Sequence, residues 1–306
     1  MNDLLGAWRR LKPRVIKIGA ILLGIVLLVS LTGPGRRFWR WAYDAVGFSD
    51  TIKAPLEVRY LNAGKADAIL ISCEGHLAML DAGTLTGGET ASDYIRRCRL
   101  EEELEYVIVS HPDSDHMDGI ADVMEQIPVG TFLRGADFEE SYAPFGEMLS
   151  EHNIPTRLLS PGETFSLGSA VFEVLGPVAS YSETNNASLV LRLTYQGVSF
   201  LFCGDIERKA EADLVESGLD LSADVLKAAH HGSKTSSTEA FLEAVSPSIT
   251  VVSTGYDSNG LPDEEALIRL EAHCQELYRT DVDGTVIVSV EDGEIRVRTE
   301  REGNGS

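Results

Sequence analysis

The sequence has little cysteine for its length. Only four of its 306 residues are cysteine, and no two of them form a Cys-x-x-Cys pair. This excludes a disulfide-stapled fold, a zinc ribbon and a thioredoxin-like redox motif. We expect the four to be small buried hydrophobic residues rather than bridges; they are Cys73, Cys98, Cys203 and Cys274.

Positive charge is also scarce. There are 26 Lys and Arg against 48 Asp and Glu, a formal net charge of -22. A uniform charge of this sign argues against nucleic acid as a partner, because phosphate contacts need Lys and Arg. Hydrophobic residues make up 43% and charged residues 24%, which is typical of a folded globular protein and excludes a mainly disordered chain.

The charge is not uniform along the chain. Residues 1–50 contain eight basic and three acidic residues, which gives +5, whereas the remaining 18 basic and 45 acidic residues give -27. An uncharged run, IGAILLGIVLLVSLTG, occupies residues 18–33. Together with residues 15–17 it approaches the ~20 residues that cross a bilayer. Residues 38–43 contain four aromatic residues and Arg40, a composition typical of a lipid headgroup layer.

We therefore predict one N-terminal transmembrane helix over 15–33. It follows a basic cytoplasmic segment, 1–14, and precedes an interface and linker, 34–55. Five of the eight cations precede the apolar run, so the positive-inside tendency places the acidic body outside the cytoplasm. Two alternatives are less favoured. A cleaved signal peptide would need small residues where 30–32 read Ser-Leu-Thr, and a buried core helix would not carry flanking cations and aromatic residues.

The body alternates short apolar runs with amphipathic stretches. Strands outnumber helices and come in runs, with two-residue turns such as Gln196-Gly197 and Asp292-Gly293. This pattern favours two sheets with helices outside over one doubly wound sheet. The polar tail, 299–306, is predicted to be disordered. The predicted strands are 56–61, 68–73, 77–80, 106–109, 171–175, 188–194, 199–203, 225–228, 250–252 and 285–290. The predicted helices are 90–99, 119–126, 138–152, 208–216, 239–245 and 264–273.

The strongest motif lies between a predicted strand and the next helix. Residues 110–119 read Ser-His-Pro-Asp-Ser-Asp-His-Met-Asp-Gly. An isolated loop histidine is usually only solvated or hydrogen-bonded. Two histidines and two aspartates within six residues, His111, Asp113, Asp115 and His116, are a dense set of metal-ligand types. Gly119 is expected to allow a close turn into the helix.

Three more strand ends carry the same residue types. Asp81 and Gly83 follow one apolar run, Asp205 ends a second, and His230 with His231 ends a third. Each has a bland interpretation alone, since a strand-ending aspartate commonly caps a turn. Together they indicate a site at the ends of four strands, where sites on layered folds usually lie.

These residues resemble the metallo-β-lactamase superfamily, and more closely the hydrolase domain of ComEC-type competence proteins, which internalise DNA. The segment 62–71 resembles that family's Val-Gly-Gln-Gly-Asp-Ala-Ile-Leu-Ile opening, and 185–191 and 227–237 also match its pattern. The resemblance covers roughly 56 to 297 and lacks the family's multi-span channel domain. It implies an α/β fold, the αββα sandwich, for a hydrolase domain at 56–298.

The resemblance also implies the roles of individual residues. Asp205 falls on a carboxylate that bridges two metals, and Asp81 falls on a buried aspartate that organises the metal loop. Of His230 and His231, either falls on the last ligand; we favour His231, with His230 and Asp115 managing proton transfer. The implied ligand set is His111, Asp113, Asp115, His116, Asp205 and His231, supported by Asp81, Gly83 and Gly119.

The chain departs from the superfamily's usual His-x-His-x-Asp-His loop, because Asp113 replaces the second histidine. A further histidine usually lies before the bridging aspartate. Only His152 falls in that interval, and it sits in a predicted helix. Oxygen-rich sites shift preference from Zn²⁺ toward Mn²⁺ or Mg²⁺. We therefore predict two divalent ions, Zn²⁺ or Mn²⁺, with one weaker and exchangeable position.

The resemblance favours a membrane-anchored, single-pass phosphodiesterase or nuclease with its hydrolase domain outside the cytoplasm. Ser233, Lys234 and Thr235 offer hydroxyls, amides and a cation to a phosphate, although helix capping by Ser236 or Ser237 explains such hydroxyls equally well. Asn186 and Ser188 occupy the expected strand-edge ligand position and are further substrate candidates. The alternatives are hydrolysis of another small or envelope-linked phosphoester, or a non-catalytic tethered metal-binding module. Expected partners are the bilayer, the substrate and a multi-span membrane protein.

Overall fold

The computed structural model describes residues 51–85, 90–98, 103–136, 138–255 and 260–301. The predicted anchor and its flanking segments, residues 1–50, lie outside these ranges. Within the described ranges no helix combines the length and hydropathy that a bilayer crossing needs. The transmembrane helix at 15–33 therefore stays a prediction.

The body begins with three strands, and helices then alternate with further strands. The strands are β1 Leu56–Tyr60, β2 Ala68–Cys73, β3 His76–Ala82, β4 Leu104–Val109, β5 Val129–Arg134, β6 Thr156–Leu158, β7 Thr164–Leu167, β8 Ala170–Gly176, β9 Val190–Tyr195, β10 Val198–Phe202, β11 Val225–Lys227, β12 Ile249–Val252, β13 Glu276–Arg279, β14 Val286–Glu291 and β15 Glu294–Thr299. The α-helices are α1 Ala91–Arg97, α2 Ser114–Gln126, α3 Gly146–Glu151, α4 Arg208–Glu216, α5 Glu239–Val245, α6 Glu264–Ala272 and α7 Thr280–Asp283. Short 3₁₀ turns span Glu139–Phe145, Asn185–Ala187 and Ala229–Gly232.

The strands form two mixed sheets. The eight-stranded sheet has the order β15-β14-β1-β2-β3-β4-β5-β6, and the seven-stranded sheet has the order β13-β12-β11-β10-β9-β8-β7. Strands β3 to β6 pair in parallel, as do β10 to β13, whereas the remaining pairs are antiparallel. The carboxyl ends of each parallel set therefore open at one edge of their sheet.

Three apolar layers hold this arrangement together. The two sheets pack face to face through alternating residues such as Val58 and Tyr60 of β1 and Phe200 and Phe202 of β10. The outer face of the first sheet packs against α1 and α2, and the outer face of the second packs against α4 and α5. Buried residues on both faces of a strand explain why some predicted strands, such as β2, read as nearly continuous apolar runs. The predicted αββα sandwich is confirmed.

All ten predicted strands are present, each within two residues of its predicted bounds. Strands β5, β6, β7, β13 and β15 were not predicted. β6 is fully exposed and β15 is partly exposed at a sheet edge, so neither shows a clear apolar pattern. The predicted helix over 138–152 was wrong in its first half, which is a 3₁₀ turn containing Pro144. The proline lacks an N–H, so a continuous α-helix is disfavoured there.

The predicted chain reversals are also present. Gln196 and Gly197 both have positive φ, at 49° and 82°, and so do Asp292 and Gly293, at 54° and 77°. Two successive positive φ values define the turn that matches the twist of a hairpin. The predicted tail boundary was wrong, because β15 continues to Thr299 and the N–H of Arg301 donates to the Asp283 carbonyl at 2.9 Å. Residues 302–306 lie outside the described ranges.

Candidate metal centre

Four strand ends bring the candidate residues together. β3 ends beside Asp81, β4 leads into His111, β10 leads into Asp205, and β11 leads through a 3₁₀ turn to His231. Within each sheet these are parallel neighbours, so their carboxyl ends share an edge. The sequence predicts this gathering, and the structure shows it.

The imidazole Nε2 atoms face two carboxylates. His116 Nε2 lies 3.2 Å from Asp205 Oδ1. His231 Nε2 lies 3.5 Å from Asp205 Oδ2 and 3.5 Å from Asp115 Oδ2. The ring of His111 is 4.1 Å from that of His116, centroid to centroid. Three clusters of adjacent potential ligands result. One contains His111, His116 and Asp205, a second contains Asp115, His116 and His231, and a third contains Asp67, Asp81 and His116.

The opposite nitrogen of each ring is held by a hydrogen bond. His116 Nδ1 donates to Asp81 Oδ2 at 2.8 Å, and His231 Nδ1 donates to the Ser253 carbonyl at 3.0 Å. The Ser110 hydroxyl donates its proton to Asp81, so its oxygen acts as an acceptor for His111 Nδ1, which donates to it at 3.1 Å. With the proton on Nδ1, the lone pair of each Nε2 is available at the centre.

The residues present fit a divalent metal ion. Within the described part of the chain, the Nε2 atoms of His111, His116 and His231 and Oδ1 of Asp205 are buried and make no hydrogen bond. Buried polar atoms without partners are rare in folded proteins. Imidazole nitrogen and carboxylate oxygen are the ligand atoms that Zn²⁺ and related ions take. We regard the convergence of four such atoms as a candidate metal centre.

The electrostatics prepare Asp205 and His111 for metal binding, whereas His116 holds a proton that metal binding would displace. Burial opposes a charge on His116, but Asp205 and Asp81 outweigh it and raise the pKa of His116 well above its usual value. Burial likewise opposes a charge on Asp205, yet His116 and His231 hold the pKa of that carboxyl well below its usual range. Burial and the neighbouring His116 lower the pKa of His111 to about 4. Asp205 is thus kept ionised and His111 neutral, which are the forms that bind metal. The raised pKa of His116 favours its protonated form, so a metal ion would have to displace the proton on Nε2.

Asp81, Gly83 and Gly119 fix the metal-loop backbone. Asp81 Oδ1 accepts the Ser110 N–H at 2.7 Å. Gly119 N–H donates to the Gly83 carbonyl at 2.9 Å, and a Cβ on Gly119 would lie 2.2 Å from the Ala82 carbonyl oxygen. The expectation that Gly119 opens the helix was wrong, because α2 already begins at Ser114. Its lack of a side chain instead lets α2 pack directly on the end of β3.

The paired histidines differ in position. His231 is fully buried, whereas His230 is 20% exposed, with Nε2 3.9 Å from Asp205 Oδ2 and Nδ1 3.4 Å from Glu207 Oε1. Both have positive φ, at 51° and 52°, a costly backbone conformation for residues other than glycine. His231 therefore lies within a ligand cluster, whereas His230 lies at the rim of the centre.

The candidate substrate residues separate into two groups. Lys234 is exposed, and the hydroxyls of Ser233 and Thr235 lie 2.9 Å apart beside the histidines. The geometry argues against the other two as substrate contacts. Asn186 Oδ1 accepts the N–H groups of Glu207 and Ala210 at the start of α4. Ser188 is fully buried, donates to the Asn185 carbonyl and accepts the Asp205 N–H.

Sequence reasoning missed several charged residues around the centre. Lys65 Nζ lies 2.8 Å from Asp115 Oδ2, and the buried Lys227 lies 2.5 Å from the buried Asp67. The guanidinium groups of Arg208 and Arg269 both donate to the Lys234 carbonyl. Lys65 and Asp67 belong to the segment 62–71, which resembles the family's opening motif. That resemblance could have identified them as residues near the centre. No sequence pattern indicated the two arginines, because they lie on separate helices and meet only in the folded chain.

The chain belongs to the metallo-β-lactamase superfamily, whose family model matches residues 61–256. Its fold is that of metal-dependent hydrolases that hold divalent ions, in agreement with the clusters above.

Curated relatives extend this assignment. The chain is 30% identical over 282 residues to competence protein ComA of Neisseria gonorrhoeae, covering 90% of this chain and 38% of ComA. It is 28% identical over 189 residues to ComE operon protein 3 of Bacillus subtilis, covering 60% of this chain and 24% of that protein. The chain therefore spans well under half the length of both relatives. The predicted resemblance to ComEC-type proteins is confirmed for this shared portion.

A solved structure agrees with the fold. The metallo-β-lactamase fold protein YhfI from Bacillus subtilis matches with a TM-score of 0.51 and 12% sequence identity, covering 79% of this chain and 99% of YhfI. At this identity the likeness concerns the fold alone.

Proposed function

We propose that this chain is a membrane-anchored, metal-dependent phosphodiesterase that acts on nucleic acid or a related phosphodiester. The observation that carries the proposal is the convergence of four buried ligand atoms without hydrogen bonds, three imidazole Nε2 and one Asp205 oxygen. Its setting beside a cation-bearing loop supports an anionic substrate. Residues 15–33 supply the anchor and place the hydrolase domain outside the cytoplasm.

The proposed mechanism divides the work among the residues of the centre. Held by His111, His116, His231 and Asp205, a divalent ion would supply an acidified water as nucleophile and Lewis-acid polarisation of the phosphoryl oxygen. Asp205 and His116 face each other at 3.2 Å and orient the ligand set. Asp115 and His230 are placed to manage protons, because each contacts the centre yet remains partly exposed.

Cations at the rim favour a phosphate group over a neutral ester. Lys65 Nζ is 2.8 Å from Asp115, and its side chain is 26% exposed. Arg208 and Arg269 reach the Lys234 carbonyl from α4 and α6. In a body whose formal charge is -27, this concentration of positive charge is local. It suits a few phosphate contacts, whereas the acidic surface disfavours a long nucleic-acid track.

We propose an asymmetric pair of divalent ions. The cluster of Asp115, His116, His231 and Asp205 supplies the tight position. His111, Asp113 and Asp205 supply the weaker one, with a preference for Mn²⁺. Two equivalents of Zn²⁺ that survive dialysis would contradict this asymmetry.

The acidic body supports one second candidate, a small or envelope-linked phosphoester, which needs no extended basic surface. A relative named a competence protein instead supports DNA, delivered by a multi-span membrane partner. The substrate assay therefore has to separate the two.

The test uses the full chain in detergent, with Mn²⁺, Zn²⁺ or Mg²⁺. The substrates are single-stranded DNA, duplex DNA and bis(p-nitrophenyl) phosphate, and Asp115→Ala is the control. DNA cleavage that is lost in Asp115→Ala supports the nuclease. Turnover of the small diester alone supports the second candidate, and metal binding without any turnover favours a binding module.

A further inference from the structure

A buried ion pair lies directly behind the metal-centre histidines. Lys227 Nζ is 2.5 Å from Asp67 Oδ2, and the two side chains are 1% and 2% exposed. The proposed reaction uses neither residue. Charged side chains are almost never fully buried unless they are paired, so the position of this pair calls for a physical account.

Two separate elements place the pair. Asp67 directly precedes β2, and its backbone N–H donates to the Asp115 carbonyl at 3.0 Å. Lys227 is the last residue of β11, the strand that leads to His231. The pair therefore joins the first sheet to the second directly beneath the candidate ligands.

The Asp67 carboxylate lies close to the rings of both His116 and His231. Asp67 Oδ2 lies 3.8 Å from Nδ1 of His116, and Oδ1 lies 3.7 Å from Nδ1 of His231. Neither contact is a hydrogen bond, because those protons go to Asp81 and to the Ser253 carbonyl. The negative charge of Asp67 nevertheless favours the proton on Nδ1 of both rings, which leaves both Nε2 lone pairs at the centre.

Stability alone does not explain the pair. Removing two charges from water costs about as much as their attraction returns, so a buried ion pair is weak support for a fold. A carboxylate behind a metal-binding histidine, in contrast, increases the basicity of the ring as a ligand.

We propose that Asp67, held and partly neutralised by Lys227, is a shared positioning residue that strengthens His116 and His231 as metal ligands. Lys227 fixes the Asp67 carboxylate between the two rings. Its positive charge offsets the free-energy cost of burying the negative charge of Asp67. The inference rests on the proposed metal centre and does not depend on the substrate.

The test compares four variants of the full chain: Asp67→Asn, Lys227→Met, the double variant and Asp224→Asn. Asp224 is the matched control, because it is a hydrogen-bonded aspartate just before β11, at the opposite end of the strand from Lys227. Each variant is titrated with Co²⁺ and with Zn²⁺ against a chelator, and its Tm is measured without metal. The visible Co²⁺ spectrum reports the ligand environment independently of activity.

We expect Asp67→Asn to weaken metal binding about 10- to 100-fold and to change the Co²⁺ spectrum. Lys227→Met should lower the Tm, because it leaves Asp67 buried without a counter-charge. The double variant separates a role in metal binding from a role in stability. The proposal is supported if the double variant has a Tm close to that of the unchanged chain but still binds metal more weakly. Recovery of both Tm and metal affinity would show a purely structural pair and overturn it.

The metal titrations and the Tm measurements do not use a substrate. They therefore test the role of Asp67 even if the chain does not catalyse the proposed reaction. A chain that binds no divalent metal at all would overturn both proposals, whereas metal binding without turnover affects only the reaction. Asp224→Asn should bind metal as the unchanged chain does.

Discussion

The two halves of the candidate metal centre are built differently, although Asp205 is common to both. The inner half consists of Asp115, His116 and His231, and the outer half consists of His111 and Asp113. Both inner histidines are fully buried, with Nδ1 bound to Asp81 or to the Ser253 carbonyl. In the outer half, Asp113 is 39% exposed and lies 3.7 Å from His111 Nε2.

This difference bears on how each half holds metal. Two fixed rings and a carboxylate that is only 18% exposed, Asp115, reduce the cost of organising ligands, so the inner half is prepared for a tightly held ion. An exposed carboxylate at the start of α2 must be ordered when metal binds, and water competes for its position. The asymmetry proposed above therefore has a structural cause, beyond the replacement of a histidine by Asp113.

The largest expected effect comes from the residue that both halves share. Asp205→Asn should remove metal from both positions and lower kcat at least about 1000-fold, because a metal contributes several kcal/mol of transition-state stabilisation. Metal content by mass spectrometry and phosphodiester turnover check this. Asp224→Asn is the control. Retention of one full metal equivalent in Asp205→Asn would show that the halves do not depend on a shared ligand.

A matched pair of substitutions separates the halves. Asp115→Ala should abolish tight metal binding. It should also lower kcat by about 100-fold or more, because the variant loses a charged group that contacts the centre directly. Asp113→Ala should keep one tight equivalent and lose only the exchangeable ion. Both are measured by metal stoichiometry before and after dialysis. Equal losses in the two variants would contradict the asymmetry.

The sequence predicted the sandwich and the inner half well, for reasons that concern particular segments. β2 and β10 are buried on both faces and read as mainly apolar runs, so composition alone found them. β1 and β9 instead alternate apolar with charged or polar residues, a pattern that also predicts a strand. His111, Asp115 and His116 lie close together in sequence, so their density was visible before the fold was known. Asp205 and His231 lie 89 and 115 positions beyond His116, so they were first noticed only as polar residues at strand ends, and the family resemblance then assigned their roles.

What the sequence did not predict depends on contacts between distant elements. Asp67 and Lys227 are 160 positions apart and meet only because the two sheets pack face to face. Asn186 and Ser188 were expected near substrate, yet they satisfy backbone groups of Asp205, Glu207 and Ala210. A polar residue near a strand end gives the same sequence signal in either role, so only the structure separates them.

Gly119→Ala tests whether the support of the inner half can be damaged selectively. The added Cβ would lie 2.2 Å from the Ala82 carbonyl oxygen, so α2 must move away from β3. Such overpacking typically costs about 1–3 kcal/mol, and α2 carries Asp115 and His116. We expect a lower Tm and weaker tight metal binding. Gly146→Ala is the control, since nothing lies within 4 Å of its added Cβ. Unchanged metal affinity in Gly119→Ala would show that the helix position does not set the inner half.

The smallest expected effect concerns the cation at the rim of the inner half. Lys65→Gln keeps most of the side chain but removes the charge 2.8 Å from Asp115. If Lys65 attracts an anionic substrate, KM for a phosphodiester should rise roughly 3- to 5-fold with kcat little changed, because the side chain is partly solvated. The difference should shrink at 1 M salt, where the screening length falls to about 3 Å. Lys209→Gln is the control, since that lysine is 69% exposed and pairs with Asp213 on α4. A fall in kcat at constant KM would instead show that Lys65 acts through Asp115, and the rim would then belong to the inner half rather than to the substrate.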